Sequence, residues 1–127
     1  MRKWLLIDDD ADDVEVFEIA LQETNRDIRL LKAADGEEAI ELLKNTALKE
    51  LPELIFMDIN MPHMDGKRCL VEIRRYNSFK ELQVIMYSTT SDERDVEECL
   101  KLGASDFVSK PTDITHLVGI LKKYANN

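Results

Sequence analysis

Trp4-Leu5-Leu6-Ile7-Asp8-Asp9-Asp10, three residues into the chain, runs through four apolar residues and stops at three acids. A short continuous apolar run ended by charge is the pattern of a parallel strand buried on both faces, with its carboxyl end emerging into water. The pattern returns at Leu54-Ile55-Phe56-Met57-Asp58 and, with a hydroxyl in place of the acid, at Val84-Ile85-Met86-Tyr87-Ser88. Ile28 to Ala33 and Phe107-Val108 are weaker strand signals. Amphipathic stretches fill the intervals at helical spacing. Asp12 to Glu23 sets Val14, Phe17, Ala20 and Leu21 on one face, and Gly36 to Leu43 does the same with Ala39, Ile40 and Leu43. Lys67 to Arg75 turns Leu70 and Ile73 inward. Glu93 to Leu102 is a helix stopped by Gly103, the residue type that best follows a helix C-terminus. Ile114 to Tyr124 closes the series with Leu117, Val118, Leu121 and Tyr124.

Five β–α pairs predict a parallel sheet covered by helices on both faces. Right-handed crossovers then favour a flavodoxin-like, doubly wound α/β sheet of five strands in the order 2-1-3-4-5 with five helices, a single domain over residues 1–127. Ligands of such sheets bind beyond the carboxyl ends of the strands, near the switch point. Asp8, Asp9 and Asp10 follow the first strand, Asp58 and Asn60 the third, Ser88, Thr89 and Thr90 the fourth, and Lys110-Pro111 the fifth. Strands 1, 3, 4 and 5 are neighbours in this order, so these groups converge.

Carboxylates this close repel one another unless a cation lies among them. All-oxygen ligands suit Mg²⁺. An aspartate at a strand end is a credible nucleophile toward phosphorus. Charge on the transferring group would be met by Mg²⁺, a lysine ammonium and a hydroxyl. An EF-hand is excluded, because counting from Asp8 the sixth position is Asp13 rather than Gly and the twelfth is Ile19 rather than Glu.

Composition bounds the rest. A chain of 127 residues, 44% hydrophobic and 34% charged, suits one domain with a real core. Its apolar runs are too short to span a bilayer and no signal segment opens it, so a cytoplasmic protein is expected. A net charge of −9 argues against direct nucleic-acid binding. Cys69 and Cys99 match no zinc or redox spacing and are expected as buried apolar residues. His63 is expected as a solvated loop residue, Met61, Met64 and Met86 as packing, and Asp65-Gly66 as a turn. Asp12 and Asp13 are read as helix-cap and first-turn acids.

Five stretches, in order and with consistent spacing, make the chain resemble the receiver domains of two-component response regulators over essentially its whole length: Leu5 to Asp10, Ile55 to Pro62, Met64-Asp65-Gly66, Val84 to Ser88, and Gly103 to Pro111. The resemblance implies that Asp58 accepts a phosphoryl group from a histidine kinase or histidine phosphotransfer protein. It implies direct Mg²⁺ ligation by Asp9, Asp58 and the backbone carbonyl of Asn60, with Asp8 holding a coordinated water. Lys110 would pair with the acceptor carboxylate and then with phosphoryl oxygens. Ser88 would supply the hydroxyl that moves to the phosphoryl group, and Phe107 the aromatic ring that turns inward in response. The Lys110–Pro111 bond is cis in the family. Phe107 stands where Tyr is commoner and Ser88 where Thr is, and neither change removes a required group. The segments Asn45 to Pro52 and Tyr76 to Leu82 resemble those of single-domain regulators related to phytochrome-partner receivers.

The resulting expectation is a stand-alone, chemotaxis-regulator-like receiver without an output domain, monomeric or weakly dimeric. It would store a phosphoryl group and signal by protein contact through its fourth helix, fifth strand and fifth helix. Two rivals are a metal-dependent phosphatase of small phosphoesters and a phosphorylation-independent pseudo-receiver. The first lacks a second Asp at position 60, and the intact Asp9, Asp58, Ser88 and Lys110 set weighs against the second.

Overall fold

The computed structural model describes residues 2–90 and 92–126. In chain order the elements are β1 (Arg2–Ile7), α1 (Ala11–Thr24), β2 (Ile28–Ala33), α2 (Gly36–Lys44), β3 (Leu54–Met57), α3 (Gly66–Arg75), β4 (Gln83–Ser88), α4 (Glu93–Leu102), β5 (Asp106–Ser109) and α5 (Ile114–Ala125). Single 3₁₀ turns at Leu48–Glu50 and Asn77–Phe79 take up the two longer connections. All strand pairings are parallel, in the order β2-β1-β3-β4-β5, as expected from the sequence.

Alternation along the strands divides the core in two. Leu5, Ile7, Ile55, Met57, Val84 and Met86 point to the side covered by α2, α3 and α4. Trp4, Leu6, Phe56, Ile85 and Tyr87 point to the side covered by α1 and α5, where Phe17, Leu117 and Leu121 meet them. Phe56 is the hub of that second layer, with ring centroids of Phe17 at 5.1 Å, Trp4 at 5.4 Å and Tyr124 at 5.6 Å. The central strands are buried on both faces, which is why they read as unbroken apolar runs. Cys69 and Cys99 are buried free thiols, as expected. Burial pushes the Cys69 thiol up to about 12, so it behaves as a small apolar residue.

Each of the five helices starts at an aspartate whose carboxylate accepts a backbone N–H of the first turn: Asp10, Asp35, Asp65, Asp92 and Asp113. Such caps satisfy donors that the helix itself leaves unpaired. Asp10 caps α1, and Asp12 and Asp13 lie in its first turn as expected. One sequence expectation changes here: Asp65 caps α3 rather than closing a turn.

Gly103 ends α4 with φ 110°, and its N–H donates to Leu100 O at 3.1 Å. A Cβ there would adopt a backbone conformation that L residues disfavour and would lie 3.1 Å from the Arg74 side chain. Gly103→Ala is therefore expected to cost about 1–2 kcal/mol, measured by chemical denaturation. An unchanged midpoint would mean that the turn relaxes freely.

Candidate functional site

The register of the sheet brings the strand ends level: Ile7 pairs with Met57, and Met57 with Met86. The residues that follow then stand side by side at the carboxyl edge. The Asp58 N–H donates to Ile7 O at 2.9 Å and the Asp8 N–H to Ala33 O at 3.0 Å, extending the ladder just past the strands. Backbone geometry thus fixes both acids. Asp8 and Asp58 are buried, while Asp9 is exposed.

One carboxylate oxygen from each of Asp8, Asp9 and Asp58 lies within 4.8 Å of the other two. The donor set is entirely hard oxygen, without sulfur or imidazole, and it fits a small divalent cation such as Mg²⁺. Asn60 is exposed, two residues beyond Asp58.

Lys110 closes the pocket from the β5 side. Its backbone N–H donates to Ser88 O at 2.7 Å, which roots the lysine on the end of β4. Its ammonium donates to Asp8 at 2.8 Å, to Asp13 at 2.8 Å and to Asp58 at 3.3 Å, and lies 5.4 Å from the centre of the Tyr87 ring. Burial, the largest single influence, would lower its pKa, but the bonds from Asp13 and Asp8 together with the Asp8 and Asp58 charges hold it above the ordinary lysine value. Asp58 shows the opposite balance for an acid. Burial pushes its carboxyl up, Lys110 opposes that, and the nearby Asp8 charge adds to the rise. Lys110 is shared among three acids, so it only partly compensates the one at which its bond is longest.

Ser88 is fully buried at the end of β4, and its hydroxyl accepts the Thr90 N–H at 3.4 Å. Phe107 pairs with Met86 in the ladder, two residues before Ser88, and is half-buried against the core on the α4 side. Asp8, Asp9, Asp58 and Lys110 therefore form one cluster, with Ser88 adjoining it through the Lys110 backbone. His63 is exposed, as expected, with φ 67° in the loop after Asp58. The Lys110–Pro111 bond is not cis: the described residues contain no cis peptide bond.

Asp13 is the site residue that sequence reasoning passes over. A first-turn acid is ordinary at the positive end of a helix, and that reading hides a second signal. Asp13 and the buried Phe17 are four residues apart, which places the acid on the stripe that α1 turns toward the sheet.

An acid cluster and a lysine at the carboxyl edge of a doubly wound parallel sheet define a class of α/β domains whose ligand site is the switch point. The chain belongs to the response regulator receiver domain family, which it matches over residues 4–122. Domains of this family act as phosphorylation-dependent switches of two-component signalling. The sensor histidine kinase CheAY of Helicobacter pylori is 33% identical over 119 residues, which are 94% of this chain and 14% of that protein. A probable transcriptional regulator of Porphyridium aerugineum is 36% identical over 110 residues, 87% of this chain and 42% of the relative. The chain thus spans less than half the length of these curated relatives. Among solved structures, the phosphorylated cyanobacterial phytochrome response regulator RcpA superposes with a TM-score of 0.87 at 26% identity, covering 98% of this chain and 91% of that one. The receiver domain of a Pseudomonas aeruginosa sensor histidine kinase, which holds magnesium in its active-site cleft, gives 0.80 at 25% identity with 99% and 98% covered. No helix among the described residues is long and apolar enough to cross a membrane.

Proposed function

We propose that this chain is a phosphorylation switch whose acceptor is Asp58. The observation that carries the reading is the position of the Asp58 carboxylate, inside a cluster of three acids and 3.3 Å from the Lys110 ammonium. An oxygen of Asp58 attacks phosphorus on a phosphohistidine of a histidine kinase or phosphotransfer protein. The phosphorus–nitrogen bond breaks, its electron pair stays on the imidazole, and the imidazole takes up a proton. Asp8, Asp9, Asp58 and the Asn60 carbonyl are the groups that would hold Mg²⁺, with Asp8 acting through water. When bound, the ion supplies positive charge to offset the acids and the phosphoryl oxygens. Lys110 donates to a phosphoryl oxygen, and the Ser88 hydroxyl turns to do the same. Water attack on phosphorus later returns the Asp58 carboxylate and inorganic phosphate.

Phosphorylation replaces the single negative charge of the Asp58 carboxylate by about two on the phosphoryl group, a net gain of about one at this edge of the sheet. Ser88 ends β4 and Phe107 lies in β5, so a hydroxyl drawn toward Asp58 opens space that the Phe107 ring can fill. That change reaches the α4, β5 and α5 face, where a protein partner would read it.

Acetyl phosphate with Mg²⁺ should add one phosphoryl group, removal of the metal should prevent it, and borohydride reduction should convert residue 58 to homoserine. Trapping at any other residue would sink the assignment.

A further inference from the structure

Asp13 stands outside the three-acid cluster, yet it binds the Lys110 ammonium as closely as Asp8 does. The two bonds are 2.8 Å each, against 3.3 Å to Asp58. An ammonium has three protons, so these three carboxylates use all of them. A phosphoryl group on Asp58 can take over the Asp58 bond, but it draws the ammonium toward itself, and gains a second bond from it, only at the expense of Asp8 or Asp13.

Exposure decides which partner yields. The Asp8 side chain is wholly buried and has little access to water if released, whereas the Asp13 side chain is 39% exposed and can exchange the lysine for solvent. The root of Lys110 is fixed by its backbone bond to Ser88 and cannot follow. The backbone of Asp13 is equally fixed, because its N–H donates to the Asp10 cap at 3.2 Å in the first turn of α1. With both backbones anchored, the ammonium lies closer to Asp13 than to Asp58, at 2.8 Å against 3.3 Å.

We propose that Asp13 is a positioning residue for Lys110: it competes with a phosphoryl group on Asp58 for the ammonium and so weakens the hold of the site on that group. The inference rests on Asp58 being the acceptor. Its sign distinguishes it from a purely structural role. If Asp13 merely kept Lys110 in place, removing its charge would loosen the lysine and weaken phosphoryl binding.

The test is the affinity of the protein for beryllofluoride, a stable phosphoryl mimic, at saturating Mg²⁺, measured by calorimetry. Removing the charge that strengthens the competing hydrogen bond should tighten binding by about 3- to 10-fold in Asp13→Asn. Asp13→Glu restores a carboxylate and should return the affinity toward the native value. Asp12→Asn removes the same charge one residue away, from an exposed side chain that does not touch Lys110, and should change affinity less than about twofold. Equal or weaker binding by Asp13→Asn, or equal tightening by Asp12→Asn, overturns the inference alone. A native protein that takes up no beryllofluoride overturns the acceptor reading and this inference with it.

Discussion

Asp58→Asn is expected to abolish phosphoryl uptake and, without divalent ions at neutral pH, to raise the melting temperature by a few degrees. The first half follows because an amide oxygen is a far weaker nucleophile than a carboxylate. The second follows from the balance of forces at the residue. Burial, and then repulsion from Asp8, raise the Asp58 carboxyl above its ordinary value. An acid whose folded-state pKa is raised adds stability only while protonated, so the ionised group at neutral pH is a net cost to the fold. An amide of the same shape carries no such cost. Losing the partnership with Lys110 opposes the gain, but that contact is the longest of the three, and Lys110 keeps Asp8 and Asp13. The asparagine oxygen can still accept a hydrogen bond from it. Thermal melts of both proteins in EDTA and in saturating Mg²⁺ make the check. The advantage of the variant should shrink when metal is present, because only the native chain has all three carboxylates. A variant that melts lower in EDTA would show that the ion pair outweighs desolvation.

What can be read from the sequence differs by position, for physical reasons. β3 covers Leu54–Met57, the same four residues as its apolar run, since a strand covered on both faces is apolar from end to end. β5 extends to Asp106 and Ser109, beyond the apolar pair that marks it, because an edge strand with exposed ends lacks that signal. The cluster of Asp8, Asp9, Asp58 and Lys110 is legible because strand order alone brings strand ends together. Asp13 is not, because its partner is 97 residues away and the same acid serves a helix N-terminus locally. Asp65-Gly66 misleads in a similar way. The pair has turn chemistry, and the sequence does not say that a backbone lies against the glycine.

That close approach makes Gly66→Ala the variant expected to disturb the fold most. In the first turn of a helix such a change ordinarily helps, since alanine is preferred to glycine by up to about 1 kcal/mol. Gly119 is exposed in α5, and a Cβ added there would meet nothing within 4 Å. Gly119→Ala should follow the rule and gain up to about 1 kcal/mol. At Gly66 a Cβ would lie 2.1 Å from the Asp58 carbonyl oxygen and 2.8 Å from the Ile59 Cα. Both obstacles are backbone, so no rotamer change relieves them. The Gly66 N–H also donates to Ile59 O at 2.7 Å, which holds α3 against this loop. Overpacking of this kind costs about 1–3 kcal/mol, and rigid contacts put Gly66 at the upper end, so the clash outweighs the propensity gain. The strain falls on the carbonyl of the acceptor itself. Moving Asp58 by about 1 Å would slow phosphoryl uptake by about 100-fold, in a protein still folded at low temperature. Denaturation midpoints for the two glycine variants, with acetyl phosphate labelling of Gly66→Ala below its melting temperature, separate the effects. Native labelling in a folded Gly66→Ala protein would show that α3 can withdraw without moving Asp58.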